Sequence, residues 1–290
     1  MQLPRIGGYI QLREVAQERV GLTASLNRAR ISVDGNAASG FSYRLLAEFE
    51  ASAGARNPAM VSLREAIVRW SRGSFGLTAG QFKTPFSREY LLPVPVLETP
   101  DFAAVVDSLA PRCDVGLMGE YAFGPFATLS LGVFNGEGQN AIANRDSLVL
   151  AVARIVARPV AQVGLGASFA RDGPDSLRWG IEANIEQQGG LLRGEYILRH
   201  RRGRAHDRDD FGWYLLAAYR VVPQLQLVAR AERFERPAFG PTRRVEAATL
   251  GGIVELVPNR IRLLVDGVRR RTGAQRNRSD VLIAQLQARF

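Results

Sequence analysis

The residues with most chemical capacity in this chain are arginines that recur at two-residue spacing. Arg28 and Arg30 share a face with Ser32 and Asp34, opposite Ala29, Ile31 and Val33. Arg44 lines up with Glu48 and Glu50, and Glu65 with Arg69. Further along come Arg193, Glu195, Arg199 and Arg201, then Arg220, Arg230 with Glu232, and Arg262 with Asp266 and Arg270. A guanidinium stays charged and donates several hydrogen bonds in one plane, which suits phosphate and carboxylate. A ladder of them can replace the water around a passing anion, each rung weak enough to release it to the next. Beside that reading stands a structural one, in which the interleaved carboxylates pair with the arginines and hold the sheet rigid.

The charge balance favours some net positive surface: Lys plus Arg is 38 against 28 for Asp plus Glu, a formal +10, and Lys83 is the only lysine. Such a chain attracts anions, whether nucleic acid, anionic lipid or small oxyanions. Other chemistries have little to stand on. Cys113 is the single cysteine, so no internal disulfide and no multi-thiolate metal site can form, and two histidines do not make a His-rich metal centre. His200 and His206 lie in or beside the charged stretch Arg199–Asp210, where Asp207, Asp209 or Asp210 could orient one as a general base. No Gly-x-Ser-x-Gly accompanies them, and there is no P-loop or Gly-rich dinucleotide fingerprint. Both are expected to be solvated loop histidines; no catalytic residue, metal or cofactor is assigned.

The elements that must position the arginines are strands. Apolar residues alternate with polar ones in 41–50, in 178–186 and again in the closing run to Phe290, a period of two rather than 3.6. Strands are expected near 6–14, 26–34, 40–51, 60–72, 74–83, 113–123, 126–135, 146–158, 160–171, 176–187, 191–201, 211–221, 224–235, 244–257, 259–271 and 279–290, about sixteen in all. Short turns, such as Gly124-Pro125, Arg158-Pro159 and Val222-Pro223, alternate with longer charged loops at Asn135–Arg145, Arg202–Asp210, Arg236–Arg243 and Thr272–Ser279. Tight turns on one rim and long loops on the other mark an all-β, antiparallel transmembrane barrel. Strands of ~11 residues rising ~3.3 Å each and tilted ~45° span the ~25 Å apolar band of such barrels.

An aromatic girdle is expected from Tyr9, Phe41, Trp70, Phe75, Tyr121, Phe134, Trp179, Trp213 and Tyr219 near strand ends. The arginines spread over nearly all strands instead of clustering on a face with stacking aromatics, which argues against a nucleic-acid partner. No stretch reaches the ~18 apolar residues of a membrane helix. The start, Met1-Gln2-Leu3-Pro4-Arg5, has no apolar core of a leader, so no signal peptide is expected in this chain.

One segment is specific: Leu77-Thr78-Ala79-Gly80-Gln81-Phe82-Lys83-Thr84-Pro85-Phe86-Ser87-Arg88-Glu89. It resembles the phosphate-selective porin O and P family, in which a strand ends in a similar GQFK-x-PF-S stretch; Leu26–Ile31 and Leu63–Trp70 fit the same family. The resemblance implies a trimeric, sixteen-stranded, anion-selective channel in the Gram-negative outer membrane. It also implies that Lys83 stands at the mouth of a constricting loop with Arg88 nearby. Phosphate specificity in the best-known members is associated with a cluster of lumen lysines; with Lys83 alone, a general channel for small anions such as chloride and phosphate is expected. A terminal Phe290 looks like the signal read by the barrel assembly machinery, with outer-membrane lipid as the surrounding partner.

If both termini lie on the periplasmic side, the third external loop is the connector from Lys83 to Arg112, the longest in the chain. A structureless connector of that length implies a function. In a single domain spanning 1–290, residues 83–112 are therefore expected to fold into the lumen, with 102–109 making a short helical piece. The competing reading is an outer-membrane barrel enzyme, or a non-conducting receptor or adhesin acting through its external loops.

Overall fold

The computed structural model describes residues 3–18, 20–50, 60–141, 143–203, 206–236, 243–273 and 277–290. They form sixteen strands: β1 (Arg5–Gln17), β2 (Gly21–Asn36), β3 (Phe41–Glu50), β4 (Met60–Arg72), β5 (Phe75–Lys83), β6 (Cys113–Phe123), β7 (Ala127–Phe134), β8 (Leu150–Val160), β9 (Val163–Asp172), β10 (Ser176–Gln187), β11 (Gly190–Arg201), β12 (Arg208–Val222), β13 (Leu225–Arg236), β14 (Arg243–Val257), β15 (Ile261–Thr272) and β16 (Asn277–Arg289). Each strand pairs antiparallel with the next, and β16 returns to β1, so the sheet closes. The closing seam runs from Tyr9 opposite Arg289 to Gln17 opposite Val281. Past it the Phe290 N–H donates to Gly8 O, and the Gly8 N–H donates to Phe290 O, at 3.1 and 3.0 Å.

Closure removes the exposed edge that a long strand otherwise presents. Period-two alternation then sorts the side chains. Outward positions are apolar and exposed, with Leu250 at 71% and Ile181 at 56%, while inward positions are polar or charged and largely buried. That is the inverse of a water-soluble protein and fits a wall bathed in hydrocarbon. Among the described residues no helix is long and apolar enough to cross a membrane.

Two bulges switch the alternation in ways the sequence pattern does not announce. In β2 the pairing with β1 skips Asn27, and in β4 the pairing with β3 skips Arg64. Each extra residue puts both itself and its neighbour on the inner side, so Arg64 joins Glu65 there. Two residues of the expected girdle also turn inward. Tyr9 is 7% exposed and lies under Arg30, and Phe134 is 2% exposed and packs edge-on against Phe82 at 5.2 Å. Gly116 and Gly132 leave the room that Phe134 fills; a Cβ on either would come within 2.6 Å of its ring. The expected turn at Arg158-Pro159 lies inside β8 instead. The missing N–H of Pro159 falls where the β8–β9 register is broken between Ala157 and Val160.

The connectors keep their two-rim arrangement, although those after β1 and β9 are short on the long-loop rim. The expected Arg236–Arg243 and Thr272–Ser279 loops lie partly outside the described residues, at 237–242 and 274–276. The longest connector, residues 84–112, contains helix α1 (Arg88–Leu91), a 3-10 turn at Val94–Val96 and helix α2 (Ala104–Leu109), close to the short helix expected over 102–109.

Candidate functional site

The Gly80–Ser87 stretch launches the long connector. Gly80 adopts φ +122°, and a Cβ there would stand 2.0 Å from Ala66 O, so only glycine fits. Gln81 binds the β7–β8 connector: its side chain donates to Asn140 Oδ1 at 3.1 Å and accepts from Asn140 N at 2.7 Å. Lys83 Nζ donates to Tyr90 O at 2.7 Å and Leu92 O at 2.8 Å, and lies 5.3 Å from the Tyr90 ring centre. Thr84 donates to Pro111 O at 2.9 Å, tying the two ends of the connector together.

From there the connector meets inward side chains of β1, β11, β13, β15 and β16. Arg193 grips Glu98 with both terminal nitrogens, at 2.8 and 3.2 Å. Arg13 holds Asp101 at 2.9 and 3.1 Å. Arg230 donates to Thr99 Oγ1 at 2.7 Å and to Asp101 O at 2.8 Å. Arg262 donates to Leu97 O, and Gln287 donates to Pro95 O at 3.1 Å. Carboxylates do the complementary work. Glu195 accepts from Glu89 N at 2.6 Å and Tyr214 Oη at 2.9 Å, Glu232 accepts from Ala104 N at 2.9 Å, and Glu89 accepts from Ala103 N at 2.8 Å. Arg230 stands 3.7 Å from both Glu89 and Glu232. Burial pushes the Glu89 carboxyl up to about 8, with Glu195 reinforcing the shift and Arg230 opposing it. Tyr90 is likewise pushed up by burial.

The eleven basic residues expected to bind anions fall into three groups. Arg30, Arg44, Arg69, Arg88, Arg193 and Arg199 are paired with carboxylates: Glu48 at 3.1 Å, Asp34 and Glu65 at 3.1 and 2.9 Å, Glu120 at 2.6 Å, Glu186 at 3.2 Å, Glu98 at 2.8 Å and Asp210 at 3.1 Å respectively. Lys83, Arg230 and Arg262 donate to backbone carbonyls of the connector. Arg28 and Arg220 make no ion pair among the described residues; Arg28 donates to Gln11 Oε1 at 3.0 Å. Sequence reasoning did not single out Arg13, which its alternation with Gln11 would have flagged, or Arg64, which pairs with Glu48 and is hidden by its bulge.

Two cavities flank the connector. One of about 580 Å³ on the short-turn side is lined by Arg220, Arg260, Arg262 and Arg289 together with Glu98, Glu186 and Glu255. Arg260 and Arg289 make no ion pair among the described residues, whereas Glu98 and Glu186 are already held by Arg193 and Arg88. The other, about 350 Å³, is lined by Arg28, Arg230 and Arg270 with Asp101, Glu232 and Asp266. Each cavity also holds a carboxylate that makes no ion pair among the described residues, Glu255 in the first and Asp266 in the second.

The histidine site offers less. His200 Nδ1 lies 2.8 Å from Asp209 and Nε2 3.5 Å from Asp207, so a carboxylate faces each ring nitrogen. Cys113 is buried and receives the Tyr90 hydroxyl at 3.5 Å. Among the described residues no group of three His, Cys, Asp or Glu side chains is placed to hold a metal ion.

The whole chain superposes on solved bacterial barrels. OmpT of Vibrio cholerae, in its trimer form, matches with a TM-score of 0.76 at 11% identity over 100% of both chains. An anion-selective porin from Comamonas acidovorans matches with a TM-score of 0.75 at 13% identity over 99% of each. OmpF of Salmonella typhi, in complex with daunomycin, matches with a TM-score of 0.74 at 10% identity over 99% of this chain and 97% of that one. At such identities the likeness speaks to the fold. No curated protein matches the chain in sequence. The family model for "Phosphate-selective porin O and P" matches residues 8–157, which include the Gly80–Ser87 launch, the connector and the basic positions of β2 to β5. With a sixteen-strand barrel around that match, the chain belongs to the phosphate-selective porin O and P family and is an outer-membrane channel.

Proposed function

We propose that the channel passes small anions by diffusion, and that the guanidiniums without carboxylate partners select for them. The observation that carries this reading is the placement of Arg28 in one cavity and of Arg220, Arg260 and Arg289 in the other, on either side of the 84–112 connector. An unpaired cation in a narrow aqueous space attracts anions more strongly than one whose field a neighbouring carboxylate cancels. In this reading the connector occupies the lumen as a constriction, supported by its hydrogen bonds to β13, eight strands around the ring from β5. Arg30, Arg44, Arg69, Arg88, Arg193 and Arg199 then shape the passage through their pairs, and Lys83, Arg230 and Arg262 act on anions indirectly, by fixing the constriction.

Chloride, phosphate and other oxyanions are the proposed cargo. Lys83 has its ammonium engaged by two carbonyls, so phosphate recognition would fall to arginine. Assembly as a homotrimer, and recognition of Phe290 by the barrel assembly machinery during insertion, belong to the same proposal. The deciding measurement is the reversal potential of the refolded protein in a planar bilayer across a KCl gradient, followed by phosphate titration. A potential near that of chloride supports the reading, and block at low phosphate adds oxyanion binding. A cation-selective potential overturns it, and absence of conductance favours a receptor acting through the external loops.

A further inference from the structure

On the outer wall charged residues interrupt the apolar outward positions singly, as at Glu14 and Arg171, and as a cluster towards the long-loop ends of β12 to β16. Two cross-strand rows face the bilayer there. The upper runs through Trp213, Arg233, Glu246, Arg271 and Arg278, and the lower through Ala231, Ala248, Arg269 and Asp280. The two alanines leave a dent of about 360 Å³ walled by Trp213, Arg233, Glu246, Arg269 and Arg271. Below it, sharing Ala248 and Arg269, an apolar furrow of about 600 Å³ runs over Ala16, Leu250, Gly267 and Leu282.

Three guanidiniums, Arg233, Arg269 and Arg271, face one outward carboxylate, Glu246, which stands in register between Arg233 and Arg271, so the dent keeps a net positive charge. Arg271 and Arg278 are register partners on one face, and like charges directly opposite each other destabilise a sheet. Asp280 pairs with Arg278 at 2.8 Å and with Arg269 at 3.2 Å, while Arg271 makes no ion pair among the described residues. Arg233 shares Glu235 with Arg244. An external anion beside Arg271 relieves the repulsion. The position is suited to a headgroup: Arg269 stands three residues and Arg271 one residue before the end of β15, beside an indole of the kind that settles at a membrane interface. Long loops mark this rim as the extracellular one.

We propose that the dent and the furrow together bind one phosphorylated lipid of the outer leaflet, its phosphate among Arg233, Arg269 and Arg271 and an acyl chain along Leu250 and Leu282. Guanidiniums recognise phosphate through short, charge-assisted hydrogen bonds, and the furrow supplies the apolar half of an amphiphile's contact. A zwitterionic lipid of the same chain length fills the furrow but brings its own cation to the dent, and is disfavoured there.

The test is native mass spectrometry of the refolded, full-length barrel in detergent, with added bis-phosphorylated lipid A as probe and phosphatidylcholine as competitor. The expected result is one retained lipid A per chain, little competition by phosphatidylcholine, and at least ten-fold weaker retention after combined Arg233→Gln, Arg269→Gln and Arg271→Gln. Arg271→Gln alone, which removes no ion pair, loses several-fold and keeps the test decisive should the triple variant fail to fold. The anion-to-cation permeability ratio stays unchanged in Arg271→Gln, because that side chain faces away from the lumen. Equal retention by the variants, or equal competition by phosphatidylcholine, overturns the proposal. So does a variant that dissociates an oligomer while binding lipid A normally, which assigns the face to contact between copies.

Discussion

Arg193 and Glu98 meet through two hydrogen bonds, at 2.8 and 3.2 Å, joining the inner face of β11 to the middle of the 84–112 connector. The guanidinium is almost wholly buried. Removing one partner of such a pair leaves the other charge stranded, at about 3 kcal/mol or more, whereas replacing both is far milder. Arg193→Met is expected to loosen the connector and raise open-channel current noise. The Arg193→Met, Glu98→Gln double variant recovers much of the loss in thermal midpoint, which a double-mutant cycle measures.

Selectivity is expected to follow uncompensated charge, not the number of arginines. Arg28→Gln removes a cation with no carboxylate partner; a unit charge at 4 Å in water is worth about 1 kcal/mol, or about five-fold in relative permeability. Arg69→Gln combined with Glu120→Gln removes a matched pair, 2.6 Å apart, and leaves the reversal potential where it was. A larger shift from the matched pair than from Arg28→Gln contradicts this assignment.

The Glu89 carboxyl, raised from its ordinary 4.5 to about 8 by burial, links stability to pH. In the unfolded chain it ionises near its ordinary value, and in the barrel it keeps its proton until about pH 8. The stability it contributes is therefore fully present below about pH 4.5 and is lost as pH rises from there to about 8. Glu89→Gln mimics the protonated acid and keeps an acceptor for Ala103 N. Its thermal midpoint is expected to fall less between pH 5 and pH 9 than that of the parent. Identical pH profiles for the two proteins remove Glu89 as the source.

Gly80→Ala forces a Cβ against Ala66 O and a side chain into a backbone region that favours glycine. A loss of about 2 kcal/mol or more is expected in urea unfolding followed by heat-modifiable gel mobility. A parent-like midpoint shows that β4 can move aside.

Phe290 makes both of its backbone bonds to Gly8 with main-chain atoms. Its ring lies over Gly8 but the residue is 64% exposed, so Phe290→Ala is expected to leave the refolded barrel's stability within about 1 kcal/mol of the parent. It lowers the amount inserted into cell membranes several-fold. Deleting the residue also breaks the seam, at about 1 kcal/mol per backbone bond, so it lowers the midpoint too. Normal insertion of Phe290→Ala removes the assembly role.

The barrel was legible in the sequence because its defining physics is local. Alternation at period two puts Ile31 outward and Arg30 inward without any knowledge of the partner strand, and glycine- and proline-marked turns fix the count. The inward set failed to be legible where a second strand decides it. Asn27 and Arg64 are bulge residues only by comparison with β1 and β3. Tyr9 and Phe134 read as girdle aromatics until Gly116 opposite Phe134, Gly132 beside it on β7, and the guanidinium over Tyr9 are in place. Which arginines are paired was least legible of all: Glu98 reaches Arg193 across 95 residues and Asp101 reaches Arg13 across 88. Pairing at that separation depends on the path of the connector, which no periodicity encodes.

A tube with a thin wall is weakest against being squeezed oval. The 84–112 connector leaves the wall at β5 and β6 and is fastened by side chains of β1, β11, β13, β15 and β16, so on the proposed path it works as an internal crossbeam. Lateral compression by the surrounding bilayer would load ion pairs and hydrogen bonds rather than bend the sheet. A channel braced in this way keeps its cross-section, and hence its throughput, in bilayers of different tension.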